Sequence, residues 1–236
     1  MAMYGELVEN GNFFPKLQPP TSTSQAISVG PIPQNVGAIA GPTLTVQQPG
    51  WRFVSADGAW TVSVLQDNFA IETVRYTTWD GTGEFADRLA AVIGAAAKTL
   101  KPAAEARLGL RYVNQIVHPR VSDPKDWHGY IADAFLGPII SPQVGPGVQA
   151  LESRVSLDLG DGANCLLRYG AFADISRPGL STYLVDTDCY RESQVPFDAE
   201  DILEMAGQLN TYALGLFQQV TTSDLRSLIA SEGQTL

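Results

Sequence analysis

The chain has 236 residues, 44% of them hydrophobic and only 17% charged, which is enough apolar material for an ordinary folded core. Its 15 basic and 25 acidic residues leave a formal net charge of -10. Such a surface repels phosphate backbones and anionic lipid, so general nucleic-acid binding and membrane attachment are disfavoured. No apolar run of about 18 residues and no charged-then-apolar leader stands out, so neither a membrane span nor an export signal is expected, and a cytoplasmic location is.

Residues 1–50 differ from the rest. They are rich in proline (Pro15, Pro19, Pro20, Pro31, Pro33, Pro42, Pro49) and in Ser, Thr, Gln and Gly, and no period persists. An extended arm without a helix is expected, with short extended pieces at 26–29 and 43–46. Phe13, Phe14, Ile27 and Val29 are apolar anchors that a plain linker does not need. The arm is either a flexible tail or a segment that orders on a partner subunit.

Regular patterning begins at Trp51. Residues 51–54 and 59–66 flank Asp57-Gly58, a hairpin signal because both residues tolerate positive φ. Asp67-Asn68 turns the chain into a third strand, 69–77. The loop at Trp79-Asp80-Gly81-Thr82 carries an N-cap, and Phe85, Leu89, Val92, Ile93, Ala96 and Leu100 follow at helical spacing until Pro102. The longest strand pattern comes next, over 108–117. Leu108, Leu110, Tyr112, Asn114 and Ile116 line one face; Arg107, Arg111, Val113, Gln115 and Val117 line the other. Both faces are partly apolar, which predicts a strand in the middle of a sheet.

After His118-Pro119, a short helix over 127–135 and an exposed Gly/Pro loop over 137–147 are expected. The second half then repeats the order of the first. Residues 154–159 and 163–171 flank Gly160-Asp161-Gly162, a third strand covers 182–190, and Pro196 and Asp198 open a helix. Its stripe is Ile202, Met205, Ala206, Leu209, Ala213, Leu216 and Val220. A last short helix starts at Thr222 or Ser223. The expected fold class is α+β: two topologically similar strand-strand-strand-helix units with mainly antiparallel sheet and helices packed on one face, plus the N-terminal arm. The expected division is an arm over 1–50, a first unit over 51–120, a connecting segment and loop over 121–147 and a second unit over 148–236, with 51–236 forming one body. The repeated order reads as an internal duplication.

Several groups of residues carry possible chemistry. Cys165 and Cys189 lack CxxC or CxxH spacing, so they read as core thiols, or as a disulfide if their strands are neighbours. His118 and His128 are the only histidines, and no nucleophile-elbow sequence accompanies them, so they read as loop histidines and no catalytic residue is assigned. No phosphate-binding glycine loop occurs, and no cofactor is expected. Arg107, Arg111 and Arg168 sit on strand patterns, where arginine pairs with carboxylates or reads an anionic group. Arg168-Tyr169 echoes Arg111-Tyr112, so with Asn114 the candidate binding set is Arg107, Arg111, Tyr112, Asn114, Arg168 and Tyr169. The reading set against ligand recognition is two structural ion pairs with strand aspartates. No metal site is assigned; the alternative is that Asp158, Asp186 and Asp188 gather on a strand face and hold Mg²⁺ or act as an acid and base.

Arg107-Leu-Gly-Leu-Arg-Tyr-Val-Asn114, preceded by Tyr76-Thr-Thr-Trp79 with Phe85 and by Arg52-Phe-Val-Ser-Ala-Asp-Gly58, resembles a sporadically distributed, uncharacterised bacterial family. Its members are of similar length and carry an R-x-G-L-R-Y-x-N strand. The stretch 209–228 is similar to that family's closing helix pair, so the resemblance covers 51–230. It departs where the family helix carries a histidine and this chain has Asn210-Thr211, and where the arm lacks the family's proline-led strand opening. The resemblance implies a fold and brings no assigned activity. Together the residues predict a non-catalytic protein-binding, assembly or regulatory subunit of the bacterial cytoplasm, one that neutralises or regulates a protein partner or associates with itself. A metal-dependent hydrolase or nuclease using the strand aspartates, and an anionic small-ligand sensor, are the alternatives.

Overall fold

A computed structural model of the chain describes residues 2–9, 13–18, 22–24, 47–174 and 177–231. Its helices and antiparallel sheets make it an α+β protein. The chain divides into two compact units, Met1–Pro102 and Ala103–Leu236. The division falls at Pro102 and not near residue 120.

The first unit begins with a helix where none is expected. Helix α1, Ala2–Glu9, buries Met3 and Leu7, four residues apart, and packs on a later helix of the same unit. An eight-residue helix containing Gly5 is marginal in isolation and has too few turns to show a period, so packing decides it. Phe14 follows, fully buried. Strand β1, Lys16–Gln18, then pairs antiparallel with a strand beyond residue 50. Strands β2, Ser22–Ser24, and β3, Gln47–Pro49, pair with each other. The start of the expected arm is therefore built into the first unit, whereas Ile27 and Val29, like the pieces 26–29 and 43–46, lie outside the described residues.

Strands β4 (Trp51–Val54), β5 (Trp60–Val64) and β6 (Phe69–Thr73) form the expected meander, and β1 joins β4 to complete a four-stranded sheet. Gly58 takes positive φ in the first turn, and Asp57 Oδ1 accepts from Ser55 Oγ and the Ala59 N–H. Helix α2, Phe85–Thr99, buries Phe85, Leu89, Val92, Ile93 and Ala96 as its spacing predicts, but Leu100 is 45% exposed. Its N-cap is Glu84, with no side-chain cap bond, instead of the Asp80 region. Trp79 stacks on Phe85 at 5.3 Å and holds the intervening loop against the helix start.

The second unit opens with β7, Ala104–Val117, which contains the strand pattern expected over 108–117. It is not in the middle of a sheet. With β8 (Ser153–Gly160), β9 (Ala163–Ala173) and β10 (Ser181–Pro196) it forms a sheet of order β7-β10-β9-β8, which leaves β7 at one edge. Its two partly apolar faces suggested burial, yet Arg107, Arg111, Val113 and Gln115 are all exposed, Val113 at 52%. A meander followed by a helix does occur in both units. The fourth strand joins the first meander strand in one sheet and the third in the other, so the whole sheets are not copies of each other.

Between β7 and β8 the expected 127–135 helix is replaced by short 3-10 turns, Pro124–Trp127 and Asp133–Phe135, separated by Gly129 at positive φ. The Gly/Pro stretch is a further pair of such turns, Gly137–Ile140 and Gly145–Gly147. This segment is more than a connection, because Val121, Trp127, Ile131, Leu136 and Ile139 are all buried. Helix α3, Ala199–Val220, is capped by Asp198, whose carboxylate accepts from the N–H groups of Glu200 and Asp201. It buries the seven residues of its expected stripe and packs on β7 and β10. Helix α4, Ser223–Ser231, closes the described chain. Among the described residues no helix is long and apolar enough to cross a membrane.

Candidate functional site

The chemistry-bearing residues of the second unit are sorted by strand alternation. On β10, Tyr183, Val185, Thr187 and Cys189 share the face that α3 covers, because Tyr112, the cross-strand neighbour of Thr187, donates its hydroxyl to Asn210 of α3 at 2.8 Å. Asp186, Asp188 and Tyr190 point to the opposite face. That face carries Arg107, Arg111 and Val113 from β7 and Arg168 from β9.

Asp186 is the most deeply held charge there, its side chain 2% exposed. Arg111 grips it in a fork, Nε to Oδ1 and Nη2 to Oδ2, both at 2.7 Å. Arg168, its direct neighbour on β9, adds Nη1 to Oδ2 at 3.0 Å. The bond to Asp186 raises the Arg111 pKa above its ordinary value despite partial burial. One carboxylate thus serves both arginines where two separate ion pairs were expected. Arg107 pairs with Asp188 at 3.0 Å and lies over the Tyr190 ring at 4.7 Å. Gly109, opposite Tyr190, makes this possible, since a Cβ there would collide with the Arg107 guanidinium.

The six candidate binding residues therefore do not form one site. Arg107, Arg111 and Arg168 lie on the open face. Tyr112 and Tyr169 lie on the covered face with Asn114, whose Nδ2 donates to the Val185 carbonyl at 3.5 Å; Tyr169 packs edge-on against Phe135. The candidate metal carboxylates are not gathered either. Asp158 is on β8 and bonds the Gly160 N–H; β9 separates it from Asp186 and Asp188, roughly 10 Å across two strand spacings. Among the described residues no three His, Cys, Asp or Glu side chains are placed to hold a metal ion. His118 is buried against Tyr130 and accepts from the Arg120 N–H, and exposed His128 lies 3.8 Å from Asp133.

Two features escaped the sequence reading. Arg191 bonds Glu105 in a fork, at 3.1 and 2.9 Å, and Asp201 at 2.6 Å, tying β10 to β7 and to α3. Glu105 is buried beside a register shift between Glu192 and Val195, and no local pattern announces such a shift. The second is the edge of β7 itself. Among the described residues its backbone is paired on the β10 side alone, no proline interrupts it, and none of its residues has a backbone bond to any other described element. In the first unit, an apolar dent of about 170 Å³ lined by Leu17, Trp51, Phe53 and Leu100 is smaller than the roughly 300 Å³ at which small-molecule pockets begin. No protein-family model, curated protein or solved structure matches the chain.

Proposed function

We propose that the chain is a non-catalytic protein-binding subunit of the bacterial cytoplasm that receives its partner by strand addition at β7. The observation that carries this reading is a fourteen-residue edge strand, Ala104–Val117, with one side unpaired among the described residues. Protein sheets ordinarily guard such an edge with charged side chains, a proline, a short strand, a mid-strand bulge or a covering element; the arginines of β7, Arg107 and Arg111, are engaged by Asp188 and Asp186 of their own sheet. The β7–β10 pairing has one irregularity, close to the N-terminal end of β7, and the rest is regular. Strand addition supplies main-chain hydrogen bonds along the edge and side-chain contacts on both faces, which suits a protein partner. The resemblance of 51–230 to the uncharacterised bacterial family is likewise proposed, on its three ordered motifs, and lends no activity to this reading.

The hydrolase reading finds no support in the geometry, because Asp186 is occupied by two guanidiniums, Asp188 by a third, and Asp158 stands apart. The anionic-ligand reading loses Arg111 and Arg168 to the same carboxylate. Amide hydrogen exchange tests the binding reading. The outward half of the β7 amides should exchange fast in dilute protein and become protected once a partner strand is bound. Full protection in the dilute, monomeric chain would mean that the edge is already covered and would remove the proposal.

A further inference from the structure

We infer that the strand received by β7 is the β7 of a second copy, paired antiparallel about a two-fold axis perpendicular to the sheet and centred on Leu110. This rests on the edge reading above and names its occupant. Such an axis keeps each sheet's covered face on the same side, so residues of like parity must face each other across the new seam.

The sequence of β7 then restricts the register. Centring on Arg111 sets that arginine against itself, and centring on Gly109 sets Arg107 against Arg111; both place like charges directly opposite. Centring on Leu110 sets Arg107 against Val113 and Arg111 against Gly109 on the open face. On the covered face Leu108 meets Tyr112 and Leu110 meets its copy, an aromatic-aliphatic pair on each side of an aliphatic one. This register uses the strand from Ala104 to Ile116. Centring on Tyr112 also separates the arginines but leaves the first residues of β7 unpaired.

Two further observations favour a copy of this chain over an unrelated strand. Val113, an exposed large apolar residue of β7 at 52%, acquires a cover in this register from the aliphatic stem of Arg107, itself 44% exposed at its side chain. The open face is also charge-balanced: Arg107, Arg111, Arg154 and Arg168 stand among Asp158, Asp186, Asp188 and Glu192. A protein with net charge -10 thus presents its copy with a neutral face beside the seam, where the charges that would hold two copies apart are locally cancelled.

The test is sedimentation of the purified full chain with two substitutions at exposed Val113. The wild type should dimerise at or below about 0.1 mM. Val113→Lys puts a lysine against Arg107 twice per dimer and should weaken association by about tenfold. Val113→Glu makes an ion pair at the same two places and should tighten it, an effect that fades with salt. An Arg107→Cys chain mixed with a Val113→Cys chain should form a disulfide-linked dimer under mild oxidation by an added disulfide, and neither chain should do so alone. A wild-type monomer at 0.1 mM, on the order of the weakest useful affinity, overturns the inference. So does a dimer indifferent to both substitutions, or one that cross-links in a different combination. Amide exchange on the same samples separates the two failures: a monomer with fast outward β7 amides leaves the edge open for another protein, whereas a monomer with protected ones ends the edge reading as well.

Discussion

At the residue scale, the organising group of the second unit is Asp186. Its side chain is 2% exposed and lies between two arginines whose side chains are a third exposed or less, so the three stand or fall unequally. Asp186→Ala leaves two guanidiniums facing each other on the sheet and should cost about 3 kcal/mol. Arg168→Ala leaves the Arg111 fork in place and should cost about 1 kcal/mol. Denaturant titration of both variants checks the order, and an equal loss would mean that the fork is not the dominant contact. Gly170 is a second sensitive position. A Cβ there would run into the Leu151 carbonyl, a backbone atom with no room to swing away. Gly170→Ala should destabilise the second unit by about 2 kcal/mol, a strand-packing penalty that unfolding midpoints would show.

Elements raise a different question, which is what holds the short N-terminal pieces. α1 and β1 carry little intrinsic stability, but Tyr4 donates to the Pro15 carbonyl at 2.6 Å, Lys98 meets Glu6 at 2.9 Å, and Leu17 pairs with Phe53 in the β1–β4 register. Phe14, fully buried, is the largest apolar commitment of this segment. Phe14→Ala should destabilise the first unit by about 3 kcal/mol and leave the second unit's transition in place, a difference that calorimetry resolves. If the melting curve did not move, the segment would be a tail after all. In the second unit the corresponding tie is Arg191, which joins β10, β7 and α3 through Glu105 and Asp201.

On the scale of the whole molecule, stability should peak over a limited pH range. The Asp57 carboxyl is held below its ordinary range by the Ser55 hydroxyl and the Ala59 N–H, and that of Asp201 by Arg191. Groups lowered on folding stabilise above the ordinary carboxylate pKa of about 4, and that contribution is lost as pH falls through the lowered folded-state value. The opposite holds for Tyr183, raised by burial, and for Cys189, raised by its contact with Cys165 and by burial. Their contribution is complete below the ordinary thiol and phenol values, about 8.5 and 10, and is lost as pH rises beyond them. Thermal melts should therefore be flat between about pH 4 and 8.5 and fall on both sides. The alkaline fall should belong to the second unit, where both raised groups lie; a first-unit transition that fell alone above pH 9, roughly midway between those values, would contradict this assignment.

How far the sequence reaches can be judged from particular elements. The stripe of α3 was legible residue by residue, because a 3.6-residue period over six turns has one solution for its buried face. The Asp57-Gly58 and Asp161-Gly162 turns were equally plain, since positive φ restricts who can stand there. Cys165 and Cys189 read as core thiols, and they are buried and free; that they face each other on β9 and β10 follows from strand pairing alone. Local periodicity states which face of a strand is apolar but not which strand lies beside it, so β7 read as central and stands at an edge. The same limit hid Asp186 as the shared partner of Arg111 and Arg168, and Glu105 as the partner of Arg191. Those contacts join residues 18 to 86 positions apart, and only the closing of the sheet brings them within hydrogen-bond reach. The helix at residues 2–9 is the converse case: too short to hold itself, it owes its form to the surface it packs on. Sequence alone thus determined the two long amphipathic helices α2 and α3, the hairpin turns and the α+β class, which depend on neighbours along the chain; tertiary structure decided the edge, the ion-pair partners and the fate of the N-terminus, which depend on neighbours in space.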